Sequence, residues 1–242
     1  LGYGKFDPRN LLKLMKIISR EKVDIIHAHG YGACTWGRIA GMFLKKPVIV
    51  HTRANYRTVP VYQRPVEWVL GPFTKYAFAV SESTKRFAVE KRHIPDPVVK
   101  VLYNGIPLDG MVRVDREWIE SFRGEQGLKP GDRILGIVGR IEGHKGHIDA
   151  LKAFRLVLKE RNDVYVWIVG NGRYQNEVSV WIKENHLEDR VTLLGYRSDV
   201  LKILQCFDLQ IFPSHMEGTP NTLYEAMLAG NAPVASTTDG QG

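Results

Sequence analysis

Short apolar runs alternate with amphipathic stretches along most of the chain. Nine runs have the length and composition of β-strands: VDIIHA (23–28), PVIVH (47–51), YAFAV (76–80), VKVLY (99–103), RILGIV (133–138), VYVWIV (164–169), VTLL (191–194), DLQIF (208–212) and PVAS (233–236). Several are apolar throughout, which is typical of strands covered on both faces. The stretches between them have apolar residues at helical spacing, as in residues 146–160. This alternation predicts an α/β fold with doubly wound parallel sheets, which bind ligands at the carboxyl ends of their strands.

The alternation is interrupted between YNGIPLDG (103–110) and GLKPGDRI (127–134). This stretch is polar and marked by Gly and Pro, and it contains one predicted helix, around Trp118. We interpret it as a junction and predict two domains, residues 1–108 and residues 109–242.

The composition is that of a globular protein with a sizeable core. The chain has 242 residues, of which 44% are hydrophobic and 25% are charged. Its two cysteines, Cys34 and Cys206, are far apart and therefore indicate neither a disulfide framework nor a cysteine metal site. We expect a reducing, cytoplasmic setting. The sequence has no signal-peptide pattern and no apolar run long enough to span a bilayer.

The charge is unevenly distributed between the two predicted domains. Residues 1–108 contain 18 Lys and Arg against 7 Asp and Glu, a net charge of +11, and residues 109–242 bring the total to +8. A basic first domain indicates an anionic partner, with solvated helix faces as the alternative. Positive charge is the only sequence feature that favours a nucleic-acid partner, and we expect no such partner.

The segment VGRIEGHKG (138–146) has two cations between a strand and a helix. Arg140 follows the strand end, and Lys145 stands just before the helix, whose first backbone N–H groups are open to an anion. The spacing fits neither a P-loop nor a dinucleotide fingerprint. The segment is therefore modest evidence for a phosphate-binding loop. The alternative is a solvated loop with two ordinary basic residues. The Gly-x-Gly of VGNGRYQNEV (169–178) is weaker still, because a tight turn explains it.

The segment MEGTPNTLYEAMLAG (216–230) carries two acids eight positions apart. Glu217 follows the end of a predicted strand, and Glu225 lies just inside the next predicted helix. Thr222 and Glu225 have the spacing of a capping box, which would give Glu225 a structural role. Alternatively, Glu217 points into a crevice from the loop and Glu225 points into it from the helix. Two acids placed in this way could bind two hydroxyl-bearing parts of one ligand.

Four segments of the second domain together resemble the retaining GT-B glycosyltransferases of the glycogen-synthase-like group 1. These segments are VGRIEGHKG, VGNG, VTLLGY and FPSHMEGTPNTLYEAMLAGNAPVAS. The E-x7-E signature of that family matches Glu217 and Glu225. In the first domain, DIIHAHGYGA, VSES and YNGI resemble the acceptor domain of that family. The resemblance implies two Rossmann-like domains that bind acceptor and nucleotide-sugar donor respectively. It implies transfer of a hexose with retention of configuration, no cofactor and no metal. The family has further strand–helix units at both ends, so we expect a fragment in which both domains are incomplete.

The resemblance also implies roles for individual residues. Arg140 and Lys145 would grip the donor diphosphate, Glu225 would bind the ribose hydroxyls, and Glu217 would contact the transferred sugar. The implied catalytic set is Glu217, Arg140, Lys145 and His29. The other implied donor-binding residues are Gly139, Asn171, Tyr196, Arg197, Gly218, Thr219, Asn221 and Thr222.

The acceptor site departs from the family pattern, which often has a His after the strand that corresponds to VIVHTRANY. Here His51 lies within the strand. The implied acceptor-binding residues are therefore a set of candidates: His29, Gly30, His51, Arg53 and Asn55. A histidine that is merely part of the core is the alternative for His29 and His51. Two other functions also stay open, a GT-B nucleotide-sugar epimerase and a non-catalytic module that binds nucleotide sugars.

Two basic segments of the first domain suggest a membrane surface. Residues 53–73 interleave arginines with aromatic residues, and residues 10–22 set lysines beside an apolar stripe. Arginines attract anionic headgroups, and Tyr and Trp favour the interface. Because acceptors of the family are often membrane lipids, we expect peripheral binding to the inner face of the membrane and a lipid-linked or glycan acceptor. The alternative is that these aromatic side chains pack in the core.

Overall fold

A computed structural model describes residues 7–52, 59–108 and 112–237. The strands within these ranges are β1 Ile26–His29, β2 Val48–Thr52, β3 Tyr76–Ala79, β4 Val99–Val101, β5 Arg133–Val138, β6 Val164–Val169, β7 Val191–Gly195, β8 Leu209–Phe212 and β9 Ala232–Ala235. The helices of the same ranges are α1 Arg9–Arg20, α2 Tyr31–Leu44, α3 Arg64–Leu70, α4 Glu82–Arg92, α5 Arg116–Glu125, α6 His147–Val157, α7 Gln175–Glu184, α8 Val200–Leu204 and α9 Asn221–Leu228.

All nine predicted strands are present, and β5 and β6 have the predicted bounds. The largest difference is at β1, which begins at Ile26 rather than at Val23. Val23 instead lies in the turn that terminates α1, because its N–H donates to the carbonyl of Ile18. The helix predicted around Trp118 is α5, and the Asp115 carboxylate caps it by accepting from the Trp118 N–H at 2.7 Å.

The chain divides into two compact units, each built on one parallel sheet. The first unit comprises residues 1–104 and 217–219, and the second comprises residues 105–216 and 220–242. The strand order is β1-β2-β3-β4 in the first sheet and β7-β6-β5-β8-β9 in the second, with every neighbouring pair parallel. The predicted α/β fold of two parallel-sheet units is therefore confirmed.

The core of the first unit is built from small side chains. Ala28, Val50 and Ala77 of the sheet pack with Cys34 of α2 and Ala88 of α4, and each is at least 96% buried. Small residues let these helices lie close to the strands.

A buried ionic triad joins the three helices α2, α3 and α4 of this unit. The Glu67 carboxylate accepts from Arg38 Nη1 at 2.8 Å through Oε2 and from Arg92 Nη2 at 2.9 Å through Oε1. Arg92 Nη1 also donates to Thr52 Oγ1 at 3.1 Å, and Arg38 Nε donates to Thr74 Oγ1 at 3.0 Å. The triad thereby anchors the last residue of β2.

In the second unit, helices cover both faces of the sheet. One face packs Phe154 of α6 and Val178 of α7 against β6, and the other packs Phe122 of α5 and Leu204 of α8 beside Trp167. The order of the strands reverses between β5 and β8. In an open parallel sheet, the crevice outside the carboxyl ends of the strands at such a reversal is where ligands bind.

Candidate functional site

The loops at the carboxyl ends of the second sheet are joined by backbone hydrogen bonds. The Ile141 N–H donates to the Asn171 carbonyl at 3.0 Å, which links the loops after β5 and β6. The Gly170 N–H donates to the Gly195 carbonyl at 2.7 Å, which links the loop after β6 to the last residue of β7. A third bond, 2.8 Å from the His215 N–H to the His144 carbonyl, links the loops after β8 and β5. The strand reversal is therefore surrounded by one connected frame.

Two glycines make this frame possible. Gly146 precedes α6 with φ +68°, and a Cβ there would lie 1.9 Å from the Pro213 carbonyl oxygen. At Gly170, a Cβ would lie 2.0 Å from the Gly139 carbonyl oxygen. Both positions combine a positive φ with a close backbone approach, so only glycine fits without a shift.

The loop between β5 and α6 offers a site for an anion. The Arg140 side chain is 73% exposed, and its only ion pair among the described residues is a 3.9 Å contact with Glu142. Lys145 is half-buried and ends the short turn that leads into α6. No side chain of the described residues caps α6, whose first N–H groups thus lack a side-chain acceptor. Two cations and a helix N-terminus here favour a phosphate group.

The sequence analysis did not identify His147, the first residue of α6. Its ring is 4% exposed, and neither ring nitrogen has a hydrogen-bond partner among the described residues. Burial, with a smaller contribution from the nearby Lys145 charge, lowers the pKa of His147 from 6.5 to about 4. The buried neutral ring thus lies at the start of the candidate anion site.

We expect His147 to make the protein less stable in mild acid. Its folded pKa lies below its unfolded pKa, so its contribution is complete above pH 6.5 and is lost as the pH falls towards 4. The loss amounts to about 3 kcal/mol of unfolding free energy. Urea unfolding of wild type and His147→Phe at pH 7 and pH 4.5 measures it. His186→Asn, which removes an exposed histidine, is the control and should behave as wild type; equal pH dependence in His147→Phe would contradict the assignment.

Glu225 does not take part in a capping box. Helix α9 begins at Asn221 with Pro220 as its N-cap, and no side chain within the described ranges caps it. The capping interpretation is therefore wrong, because Thr222 already lies within the first turn. Glu225 is half-buried, and burial raises the pKa of its carboxyl group. It makes no ion pair with any residue that the structure describes, which leaves a carboxylate suited to a ligand with hydroxyl groups.

The other implied donor residues differ in their surroundings. Asn171 and Tyr196 are exposed at the ends of β6 and β7, and Asn221 is exposed at the start of α9. Arg197 is held by Asp199 through two hydrogen bonds of 2.9 and 2.8 Å, which raise the pKa of Arg197. In the turn after β7, Arg197 is therefore paired within the turn, and the Tyr196 side chain is exposed.

Glu217, Gly218 and Thr219 group with the first unit, although they follow β8 in the chain. Glu217 is half-buried and Gly218 is buried. The Thr219 hydroxyl donates to the Val80 carbonyl at 2.7 Å, and Asn104 Nδ2 donates to the Thr219 carbonyl at 3.2 Å. The backbone of this segment is thereby fixed.

Of the implied acceptor residues, His29 and Gly30 lie at the end of β1 and His51 lies in β2. His29 is exposed and is followed by Gly30, which precedes α2 with φ +79°. His51 is half-buried within β2, as the sequence predicted, and its Cα is the register partner of His29. His29 is therefore not a core histidine. Arg53 and Asn55 lie outside the described residues.

The chain is similar to known glycosyltransferases. The sequence model of the family "Glycosyl transferases group 1" matches residues 119–242, and that of "Glycosyltransferase Family 4" matches residues 2–109. A UDP-Gal:alpha-D-GlcNAc-diphosphoundecaprenol alpha-1,3-galactosyltransferase of Escherichia coli is 25% identical over 97% of this chain and 63% of its own length. The capsular polysaccharide biosynthesis glycosyltransferase CapM of Staphylococcus aureus is 23% identical over 96% of this chain and 63% of its length.

Solved structures share the fold. The Anabaena HepE protein in complex with UDP is 22% identical and matches with a TM-score of 0.83 over 95% of this chain and 64% of that protein. A glycosyltransferase from Rickettsia africae is 20% identical and also has a TM-score of 0.83, over 99% of this chain. The chain thus spans somewhat less than two thirds of the length of the relatives it matches, as the fragment prediction expected. The model "Glycosyl transferases group 1" covers residues 119–242, which is half of the chain. The chain therefore belongs to the group 1 glycosyl transferases.

Proposed function

We propose that this chain is part of an enzyme that transfers a hexose from a nucleotide-diphosphate sugar to an acceptor, with retention of anomeric configuration. Residues 109–242 would bind the donor, and residues 1–108 would bind the acceptor. The observation that carries the proposal is the anion site at the strand reversal of the second sheet, where Arg140, Lys145 and the N-terminus of α6 meet.

The chemistry of the reaction explains why those groups are needed. Cleavage of the bond between sugar and diphosphate develops negative charge on the leaving group. Arg140, Lys145 and the first N–H groups of α6 would stabilise that charge, so the proposed transfer needs no metal at the diphosphate. Retention would proceed on the side from which the diphosphate leaves, which requires no carboxylate nucleophile.

The two acids would hold the two sugar rings of the donor. Glu225, a half-buried carboxylate with no ion pair among the described residues, would accept hydrogen bonds from the ribose hydroxyls. Glu217 would contact the transferred sugar near the reacting carbon. The E. coli relative carries UDP-Gal in its name, which favours UDP as the nucleotide.

UDP binding by the full chain tests the donor site. We expect Arg140→Ala and Lys145→Ala each to weaken UDP binding by roughly 10–150-fold, because each removes a charge-assisted contact of about 1.5–3 kcal/mol. Glu225→Gln should also weaken UDP binding. In the absence of UDP, this variant should melt no lower than wild type, because the change removes a half-buried charge that has no ion-pair partner among the described residues. Titration calorimetry with UDP, GDP and ADP and thermal melts supply both readouts.

Arg155→Ala is the matched control, because Arg155 is exposed on α6 and bonds only to Asn185 among the described residues. It should bind UDP as wild type does. Unchanged UDP affinity in both Arg140→Ala and Lys145→Ala would contradict the diphosphate assignment. A product assay on the longer protein distinguishes the three functions. Release of free UDP identifies a transferase, and formation of an isomerised sugar nucleotide identifies an epimerase. Binding of the nucleotide sugar without turnover identifies a binding module.

We further propose a lipid-linked or glycan acceptor at the cytoplasmic face of a membrane, with no nucleic-acid partner. Tyr62, Trp68 and Phe73 are 49–67% exposed, so their aromatic rings are not part of the core. Arg64 is exposed beside them. In the part of the chain that the structure describes, no helix has the length and apolar character to cross a bilayer. The surface of α3 and its flanking turns therefore suits peripheral docking.

We expect the full chain to sediment with anionic vesicles at low salt and to be released at high salt. Each basic residue near an anionic surface contributes about 1 kcal/mol, and salt screens that attraction. Vesicles of neutral lipid should retain little protein. Trp68→Ser should reduce binding to anionic vesicles, whereas Trp181→Phe, on α7 of the second unit, should not. Equal partitioning onto neutral and anionic vesicles, or onto neither, would contradict the membrane proposal.

A further inference from the structure

Three histidines of the first unit lie on one face of its sheet. His27 and His29 alternate along β1 and thus point to the same side, and His51 of β2 is the register partner of His29. Their ring centroids are 4.4 Å apart for His27 and His29, 4.9 Å for His29 and His51, and 6.0 Å for His27 and His51. One ring nitrogen from each histidine can be chosen so that all three lie within 4.8 Å of one another.

The packing of the two strands does not account for this cluster. The core contacts of β1 and β2 come from the opposite face, where Ala28 and Val50 are 0–4% exposed. His27 and His29 are exposed, and His51 is half-buried. Three imidazoles therefore lie together on two paired strands, and none of them is part of the buried core of this unit.

The cluster is open to small ligands. His27 and His29 line a cavity of about 550 Å³ together with Tyr31 and Trp36. An ion can reach the rings of His27 and His29 through this cavity, and there is space beside these two rings for a further ligand.

We propose that His27, His29 and His51 form a binding site for a zinc ion. Zinc accepts three imidazole nitrogens at about 2.0–2.1 Å and keeps a fourth tetrahedral position for another ligand. Tetrahedral ligands at that distance lie about 3.4 Å apart, so the rings need only small rotations to close the present spacing. The set contains no carboxylate, which favours zinc and similar imidazole-binding metals over magnesium, calcium or manganese.

The zinc ion would crosslink the carboxyl ends of β1 and β2. Its fourth position would hold water or a hydroxyl group. The site shares no residue with the proposed donor diphosphate site, because all three ligands belong to the first unit and none is among the donor residues. His29 and His51 are also implied acceptor residues, so the ion would lie where the acceptor is proposed to bind. Zn²⁺ binding and UDP binding therefore test the metal site and the donor site separately.

Metal binding by the full chain tests the site. After treatment with a chelator, calorimetry with Zn²⁺ should give one ion per chain, and Co²⁺ should give the visible absorption of a four-coordinate site. His27→Ala, His29→Ala and His51→Ala should each lower Zn²⁺ affinity by more than the roughly 10–100-fold that is lost when only an outer partner of a ligand is removed. Zn²⁺ should raise the melting temperature of wild type and not of these variants.

His93→Asn is the matched control, because His93 is an exposed histidine of the same unit with φ +53°, a conformation that Asn tolerates. It should bind Zn²⁺ as wild type does. His27→Ala should keep wild-type UDP affinity, which distinguishes loss of the metal from loss of the fold. The proposal is overturned if wild type binds no Zn²⁺ at micromolar concentration, or if the control loses as much affinity as the three variants.

Discussion

Glu67→Gln is expected to lower the free energy of unfolding by about 3–5 kcal/mol, the usual effect of removing one partner from a buried ion pair. Glu67 is 1% exposed and is the only carboxylate that meets Arg38 and Arg92 among the described residues. The substitution keeps the shape of the side chain and removes its charge. Two guanidinium groups are then left buried without compensation.

Urea unfolding of the purified full chain measures this loss. Glu90→Gln is the control, because Glu90 is exposed on α4 and its loss should cost no more than about 0.5 kcal/mol. Arg92 also bonds to Thr52, so Glu67→Gln should increase hydrogen exchange at the end of β2 as well. A loss below about 1 kcal/mol would mean that the triad is solvated in solution and does not hold the three helices.

Gly146→Ala is expected to have the second large effect, on both stability and UDP binding. A non-glycine residue at φ +68° costs about 1–2 kcal/mol by itself. The new Cβ would also lie 1.9 Å from the Pro213 carbonyl oxygen, so the loops after β5 and β8 must move apart. Because α6 begins directly after Gly146, its N-terminus shifts away from the proposed diphosphate.

Gly127→Ala separates the two causes. Gly127 has φ +79°, and a Cβ there meets nothing within 4 Å, so this variant measures the backbone cost alone. We expect Gly146→Ala to be less stable than Gly127→Ala and to lose UDP affinity at least tenfold, whereas Gly127→Ala keeps it. Chemical denaturation and calorimetry on both variants provide the comparison. Equal behaviour of the two would show that the loop yields without consequence for the site.

The sequence predicted the parts of the fold that depend on local pattern. Continuous apolar runs sufficed for β5 and β6, since strands buried on both faces have no polar alternation to obscure their ends. Arg140 and Lys145 were identified because a strand end and a helix start are both visible in sequence. The capping spacing of Thr222 and Glu225 was misleading, because Pro220 takes the cap position and the helix begins at Asn221, two residues earlier than a Thr222 cap requires.

Features that depend on pairing between distant segments were not predictable. Arg38, Glu67 and Arg92 come from three helices, and nothing in their local sequence indicates burial. His29 and His51 were named separately, but only the register of β1 on β2 brings them together with His27. His147 resembles an ordinary polar helix start in sequence, although a signal was present: it follows directly after the Lys-Gly pair of the phosphate loop.

The three bonds that join the loops of the second sheet run between main-chain atoms only. Main-chain groups are the same for every residue type except proline, so apart from Gly146 and Gly170 the frame does not depend on which side chains its loops carry. Exposed positions such as Asn171 and Tyr196 can thus change identity while the loops keep their geometry. Because both are proposed donor-binding residues, substitutions there should change the preference among nucleotide sugars while the protein folds as well as the parent, and this edge of the sheet is the place to test changes of donor specificity.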